Sequence, residues 1–482
     1  MRKLASQDHS ISLHKTKMIM RKFLFILFAP LVVTAQKDHA QLLQQYMTGQ
    51  NKYFQFNGTI LVAEKGKPIY QQALGYADYN SKRMLNDSSV FELASVSKQF
   101  TAMGIMILKD RKLLSYENNI KKYFPQLPYE NITIRNLLTH TSGIPSYEDQ
   151  FEKHWDRKKI AYNKDIIDML VQRHDTLFFK PGTKWRYSNT GYALLASIIE
   201  KVSGMSYNDF MAINIFQPLG MKNTFIYNSR RTTNKFPDNY ALGFVYSDSL
   251  KKYILPDELP ALDMVYYLDG IVGDGTVNST IGDLFKWDRA LYSNKLISKA
   301  TLDEMLSPLV RTSPTDSTSF YGFGVGVQPK SEKGKIISHT GGWPGYRTMI
   351  LRWPEIERTV IILSNAESNL PFFRASVESI LNDEDIVMPY EHKEVKIDTA
   401  ILVNYAGKYF GGVTMEFIKK DGKLYRHRNN IPDIELKPES ATKFFYGDGT
   451  DRQIEFEIDG SGKVTKVWFL NMGQKGELKK IE

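Results

Sequence analysis

Residues 91–108 read FELASVSKQFTAMGIMIL. Phe91, Leu93, Met103, Ile105, Met106, Ile107 and Leu108 are apolar, and Gly104 is the helix-weakening residue of the run. The pattern predicts a buried helix that opens on Ser95 and carries Lys98 three residues later. A buried lysine is costly unless it is paired or has a task. The pair is therefore either an accident of a helix start or an active site. Residues i and i+3 share one helix face, so the Lys98 amine can reach the Ser95 hydroxyl. A helix N-terminus favours negative charge, and a serine is a weak nucleophile until a neighbour takes its proton. The spacing alone decides little. Ser12, Ser95, Ser249 and Ser440 each begin an S-x-x-K, and of these Ser95 opens an apolar helix.

The rest of the composition narrows the classes. The chain has 482 residues, 42% hydrophobic and 24% charged, which fits a globular protein of two or three domains with a large core. It has no cysteine, so thiol nucleophiles, disulfides and cysteine-based zinc sites are excluded. His140, His154, His174 and His339 form no H-x-x-x-H pair, and no G-x-S-x-G occurs. Neither a metal-dependent hydrolase nor an α/β-hydrolase is indicated, and no cofactor or metal is expected.

Residues 20–36, MRKFLFILFAPLVVTAQ, have a basic start, an apolar run and small residues at its end. That layout predicts a secretory signal peptide cut after Ala35, preceded by a polar extension. The run is too short for a membrane span. The protein is expected to be exported, periplasmic or extracellular, without a stable span after cleavage. Residues 1–35 carry six basic residues and one acidic, so half of the net charge of +10 leaves with them. The remaining mild basicity, without a dense Lys/Arg patch, argues against a nucleic-acid partner.

Periodicity predicts a mixed α/β body followed by a small all-β domain. Residues 58–77 read as two strands around a Lys65-Gly66-Lys67 turn, and 347–365 as a hairpin across Pro354 and Glu355. Helices are predicted over 132–145, stopped by Gly143 and Pro145, over 188–204 with Gly204 as C-cap, and over 279–293 with Thr280 and Asp283 as a capping box. YGFGVGV (321–327) reads as one strand under close backbone approach. The expectation is an antiparallel sheet built from both ends of residues 36–385 and flanked by helices, with a helical lobe between. A linker over 386–400 and a β-rich domain over 401–482 follow, with turns at Asp421-Gly422, Asp448-Gly449 and Ser461-Gly462-Lys463.

Two further stretches join Ser95 and Lys98 as candidates. Tyr187-Ser188-Asn189 lies between a Pro181-Gly182 turn and a helix, where a tyrosine could exchange protons and an asparagine could hold a substrate amide. A packing tyrosine with a satisfied hydroxyl is the plain alternative. His339-Thr340-Gly341-Gly342 precedes the late hairpin, and its glycines let a backbone N–H approach a substrate oxygen. In their order and spacing, S-V-S-K, Y-S-N and H-T-G resemble the motif set of serine β-lactamases and penicillin-recognising enzymes. LLTHTSGIP, FKPGTKWRYSNTGYALLASIIEKVSG, FQPLGMKNTF and HTGGWPGYRTMILRWPE strengthen the resemblance, which covers roughly residues 40–385.

The resemblance implies a serine hydrolase acting through an acyl-serine on an amide, ester or lactam carbonyl. A D-alanyl peptide, a β-lactam or a small ester are the donors, and cell-wall peptide is a partner of that class. A catalytically silent sensor or binding protein of the same fold is the second reading. Ser95 is implied as nucleophile, Lys98 and Tyr187 as its proton partners, and Asn189, His339, Thr340 and Gly341 as substrate-binding residues. The N–H groups of Ser95 and Gly342 are implied as the oxyanion hole. His339 stands where many members have lysine. Histidine titrates near 6.5, so a fixed cation for a substrate carboxylate is not expected, and activity is expected to vary with the charge of His339 between about pH 5 and 8.

Overall fold

The computed structural model describes residues 38–54, 56–228, 236–368 and 370–481. The predicted signal peptide, residues 1–35, lies outside them. Among the described residues no helix is long and apolar enough to cross a membrane.

Strand β1 (Gly58–Glu64) and β2 (Lys67–Leu74) form the early hairpin, with Lys65 and Gly66 both at positive φ in the turn. Six late strands complete the sheet. These are β3 (Val310–Arg311), β4 (Phe320–Tyr321), β5 (Gly326–Gln328), β6 (Ile336–Trp343), β7 (Tyr346–Trp353) and β8 (Arg358–Ser364). Their order is β3-β4-β5-β6-β7-β8-β1-β2, antiparallel throughout. β1 pairs with β8 from Gly58↔Ser364 to Ala63↔Thr359, which joins the two ends of the body in one sheet, as the sequence predicts.

The central strands are apolar on both faces because both faces are covered. Ile60, Val62, Met349, Leu351, Val360 and Ile362 pack with Leu43 and Tyr46 of helix α1 (His39–Phe54), and with Phe373 and Val377 of a helix near the end of the body, Leu370–Leu381. Leu61, Ala63, Ile350, Ile361 and Leu363 face the helical lobe on the other side. There α2 (Lys98–Asp110) crosses α3 (Asn189–Ser203). Gly104 marks the crossing, since a Cβ there would lie 2.8 Å from Ile199 Cδ1. The helix-weakening residue of the opening stretch is therefore what allows the two helices to approach.

Three local expectations are corrected. The stretch 321–327 is not one strand. It turns at Gly322–Val325, so that β4 and β5 pair with each other; a side chain at Gly324, at φ +73°, would meet Lys98 O at 2.7 Å. The helix expected over 132–145 spans only Ile134–Leu138, because His140 adopts φ +60°, a left-handed conformation that no helix continues through. Over 279–293 the helix is Ile281–Ala290. Thr280 caps it by accepting from Asp283 N at 3.2 Å, while the Asp283 carboxylate accepts from Asn223 N at 2.7 Å and Lys286 Nζ at 2.7 Å.

From Gly407 to Lys480 eight strands close into a barrel, with hairpin turns at the three places the sequence marks. Closure removes the exposed edges that an open sheet would leave. Tyr405, Phe417, Phe444 and Phe456 fill its core, with Tyr405 and Phe456 stacked at 4.2 Å. The barrel docks on α1, where Tyr46 Oη donates to Met472 O at 2.8 Å. It therefore sits beyond the helices that cover one face of the sheet, while Ser95 lies on the opposite, helical-lobe side.

Candidate active site

Ser95 lies in a short 3-10 turn, Ala94–Ser97, between a strand pair at Phe91–Glu92 and the start of α2. Ala94 takes φ +47°, and such local strain is concentrated at functional turns. The turn is clamped from beneath by β6 and β7. Thr348 Oγ1 donates to Leu93 O at 2.7 Å, and a Cβ on Gly341 would fall 2.2 Å from that same oxygen. Ser97 faces away and accepts from Val277 N at 3.1 Å.

Lys98 is fully buried, and its partners are at hand. Nζ donates to Ser95 Oγ at 3.0 Å and to Asp274 O at 2.6 Å. It also stands 4.9 Å from the Tyr187 ring centroid and 5.6 Å from that of Tyr192, within cation–π range. The lysine that looked awkward in an apolar helix is thus held against one hydroxyl, one carbonyl and two aromatic faces. Tyr187 follows the irregular stretch before α3 and remains more than a third exposed. Asn189 opens α3. Its Nδ2 donates to the Glu148 carboxylate, while its Oδ1 is buried without a hydrogen-bond partner.

Ser95, Asn189 and Gly342 line one cleft with Glu92, Tyr147, Glu148, Leu268, Asp269, Asp274 and Trp343 among their neighbours. Gly342 has open space where a side chain would go, with Arg347 Nη1 nearest at 3.7 Å. Thr340 is exposed on β6 beside it. Of the residues singled out in the sequence, Ser95, Asn189 and Gly342 line this cleft. Sequence reasoning missed the carboxylates. Glu92, Glu148, Asp269 and Asp274 all line the cleft, whose described lining holds no lysine, arginine or histidine. Burial pushes the Glu148 carboxyl up, the Asn189 bond opposes that shift, and the charge of Asp274 adds to it. Tyr147 Oη donates to Asp274 Oδ2 at 2.7 Å. No motif announces Glu148, in the first turn of the helix Tyr147–His154, or Asp274, on the irregular segment before Val277. Among the described residues no group of three or more acidic or histidine side chains is placed to hold a metal ion.

His339 does not point into this cleft as a charge. Its Nδ1 donates to Thr340 O at 2.7 Å and its Nε2 accepts from Tyr321 Oη at 3.0 Å, so both nitrogens are used by the neutral ring. Burial, followed by the nearby charge of Lys98, lowers its pKa to about 3. The pH dependence expected of His339 between pH 5 and 8 is therefore overturned. In the unfolded chain the ring binds a proton near 6.5, whereas the folded ring does so only near 3. Stability is then full above pH 6.5 and falls by about 1.4 kcal/mol per pH unit for this ring as pH drops toward 3. His339→Gln is expected to leave the shape of the rate profile between pH 5 and 8 unchanged and to flatten the acid-side loss of Tm. A rate limb that disappears with the substitution would count against this assignment.

Residues 40–382 match the Beta-lactamase family model. A penicillin-binding protein of Bacillus subtilis strain 168 is 46% identical over 418 residues, 85% of this chain and 91% of the relative. A D-aminopeptidase of Brucella canis is 24% identical over 317 residues, 65% of this chain and 57% of that protein. Among solved structures, the octameric penicillin-binding protein homologue from Pyrococcus abyssi superposes with a TM-score of 0.64 at 24% identity, covering 91% of this chain and 99% of that one. D-amino acid amidase from Ochrobactrum anthropi, complexed with D-phenylalanine, gives 0.58 at 24% identity, covering 71% and 99%. The chain is a member of the beta-lactamase family, a serine hydrolase of the β-lactamase/transpeptidase fold.

Proposed function

We propose that this is an exported serine hydrolase that works by acyl transfer through Ser95 and prefers donors bearing an amine beside the scissile carbonyl. The acyl-transfer reading rests on the 3.0 Å contact between the buried Lys98 amine and Ser95 Oγ at the floor of the cleft. Ser95 Oγ attacks the carbonyl carbon while its proton passes to the Lys98 amine or the Tyr187 oxygen. The oxyanion is received by the N–H groups of Ser95 and Gly342. Collapse breaks the bond to the leaving amine or alcohol, which departs with the proton. Water then attacks the acyl-serine by the same route and releases the acid. Asn189 would hold a substrate amide, and a substrate would lie along the part of β6 that carries Thr340 and Gly341. Export rests on the sequence of residues 20–36.

The substrate preference is argued from charge. The cleft is lined by four carboxylates, and His339 is neutral where a lysine would supply a cation. At about 5 Å and an effective dielectric near 20, each like-charged pair costs on the order of 3 kcal/mol. A donor with a carboxylate near the reacting carbon is repelled, while an ammonium is attracted. The D-aminopeptidase among the relatives and the D-amino acid amidase among the solved structures fit that preference. D-Alanine p-nitroanilide, its N-acetyl derivative and a D-alanyl-D-alanine peptide with a free C-terminus separate the possibilities. Turnover of the free amine at least about tenfold above both others is expected, a margin of about 1.4 kcal/mol. Faster cleavage of the peptide or of the N-acetyl compound would refute the preference.

A further inference from the structure

We infer that His140 is a positioning residue for Tyr187, holding the tyrosine over Lys98 by gripping the peptide units on both sides of it. The inference rests on the acyl-transfer reading above and gives a role to a residue of the LLTHTSGIP stretch that lies outside the three catalytic motifs. His140 O accepts from Arg186 N at 3.0 Å, and His140 Nδ1 accepts from Ser188 N at 3.1 Å. Between those two donors stands Tyr187. The His140 ring lies against the Tyr187 ring at 4.3 Å between centroids, and is packed from other sides by Tyr321 at 4.6 Å, Tyr192 at 5.1 Å and Trp185 at 6.1 Å. Backbone and ring of one residue therefore fix both the position and the tilt of Tyr187.

Two features mark this as more than packing. His140 is fully buried at φ +60°, a conformation that glycine or asparagine adopts at less cost. Its Nε2 is also buried without a partner. A residue kept only to fill space would be replaced by one without an orphaned nitrogen. An acceptor at Nδ1 requires the neutral ring, and burial, followed by the nearby Lys98, keeps it neutral far below its usual range. The same nitrogen serves α3, because Ser188 is the N-cap of that helix and accepts from Gly191 N at 3.2 Å. The tyrosine and the start of the helix that carries Asn189 are thus set by one imidazole.

Three substitutions test this. Asparagine at 140 offers an acceptor close to the Nδ1 position and tolerates positive φ, whereas glutamine places its amide near Nε2. Rates of acylation are read with a fluorophosphonate and with a chromogenic ester, alongside Tm. His140→Gln is expected to lower the acylation rate about 10²-fold, the scale of a misplaced catalytic group. His140→Asn should stay within about tenfold of wild type, and His140→Gln in a Tyr187→Phe background should cost less than about threefold more than Tyr187→Phe alone. Equal losses for Asn and Gln, or fully multiplicative losses in the double variant, would overturn the inference. If His140→Gln does not fold, His140→Asn decides by itself. An acylation rate as low as that of Tyr187→Phe with an unchanged Tm would equally overturn it. Failure of the acyl-transfer reading shows separately, as wild-type protein that forms no fluorophosphonate adduct.

Discussion

Ser95→Ala is expected to abolish the acyl-enzyme and to lower turnover by about 10⁴–10⁶-fold, the scale seen when a nucleophile that acts as a unit with its base is removed. The loss should be almost purely in kcat, because the cleft walls that bind the substrate do not depend on Ser95 Oγ. Lys98→Met should be nearly as severe. Methionine fills the same apolar channel, but it neither takes a proton from Ser95 nor donates to Asp274 O, the contacts now at 3.0 and 2.6 Å. Since the two side chains work as one unit, the double variant should be no slower than Ser95→Ala. Intact-mass spectrometry after exposure to a fluorophosphonate reads the outcome directly. An adduct on Ser95→Ala at the wild-type rate would place the nucleophile elsewhere.

Gly341→Ala is expected to cost about 10²–10³-fold in acylation, comparable to the loss of one oxyanion donor. The new methyl would lie 2.2 Å from Leu93 O and 2.3 Å from Thr348 Oγ1, two atoms already bonded to each other at 2.7 Å. Neither is the free end of a flexible chain, so β6 must move away from the turn that carries Ser95. The N–H of Gly342 moves with it, and the gap between the two oxyanion donors opens. Gly342→Ala supplies the control. Its methyl meets nothing closer than 3.7 Å, so that variant should fold with an unchanged Tm. Wild-type acylation by Gly341→Ala would show that the clamp between β6 and the Ser95 turn has no catalytic consequence.

The sequence by itself determined what short-range physics encodes. Apolar runs on either side of turn residues located β1, β2 and the hairpin of β7 and β8, and a 3.6-residue apolar face located α3. Ser95, Lys98, Tyr187, Asn189 and Gly342 were legible for a different reason, namely that their order and flanking text resemble a family whose chemistry needs them. Local patterns misled where one backbone torsion decided the outcome. His140 at positive φ ends the helix expected to run to Gly143, and the glycines of 321–327 permit a turn rather than a strand.

Only the tertiary structure decided the electrostatic character of the site. His339 looks like a titrating residue in one dimension. It is neutral because Tyr321 and Lys98, from two other parts of the chain, bury it against its own neighbour Thr340. Glu148, at the start of a short helix, and Asp274, on an irregular segment, line the same cleft as Ser95, and His140 grips Tyr187 from 47 positions earlier in the chain. Burial, hydrogen bonding and Coulomb interaction depend on distances between residues far apart in sequence. The candidate nucleophile was therefore readable from the chain, while the carboxylate lining of the cleft beside it was not.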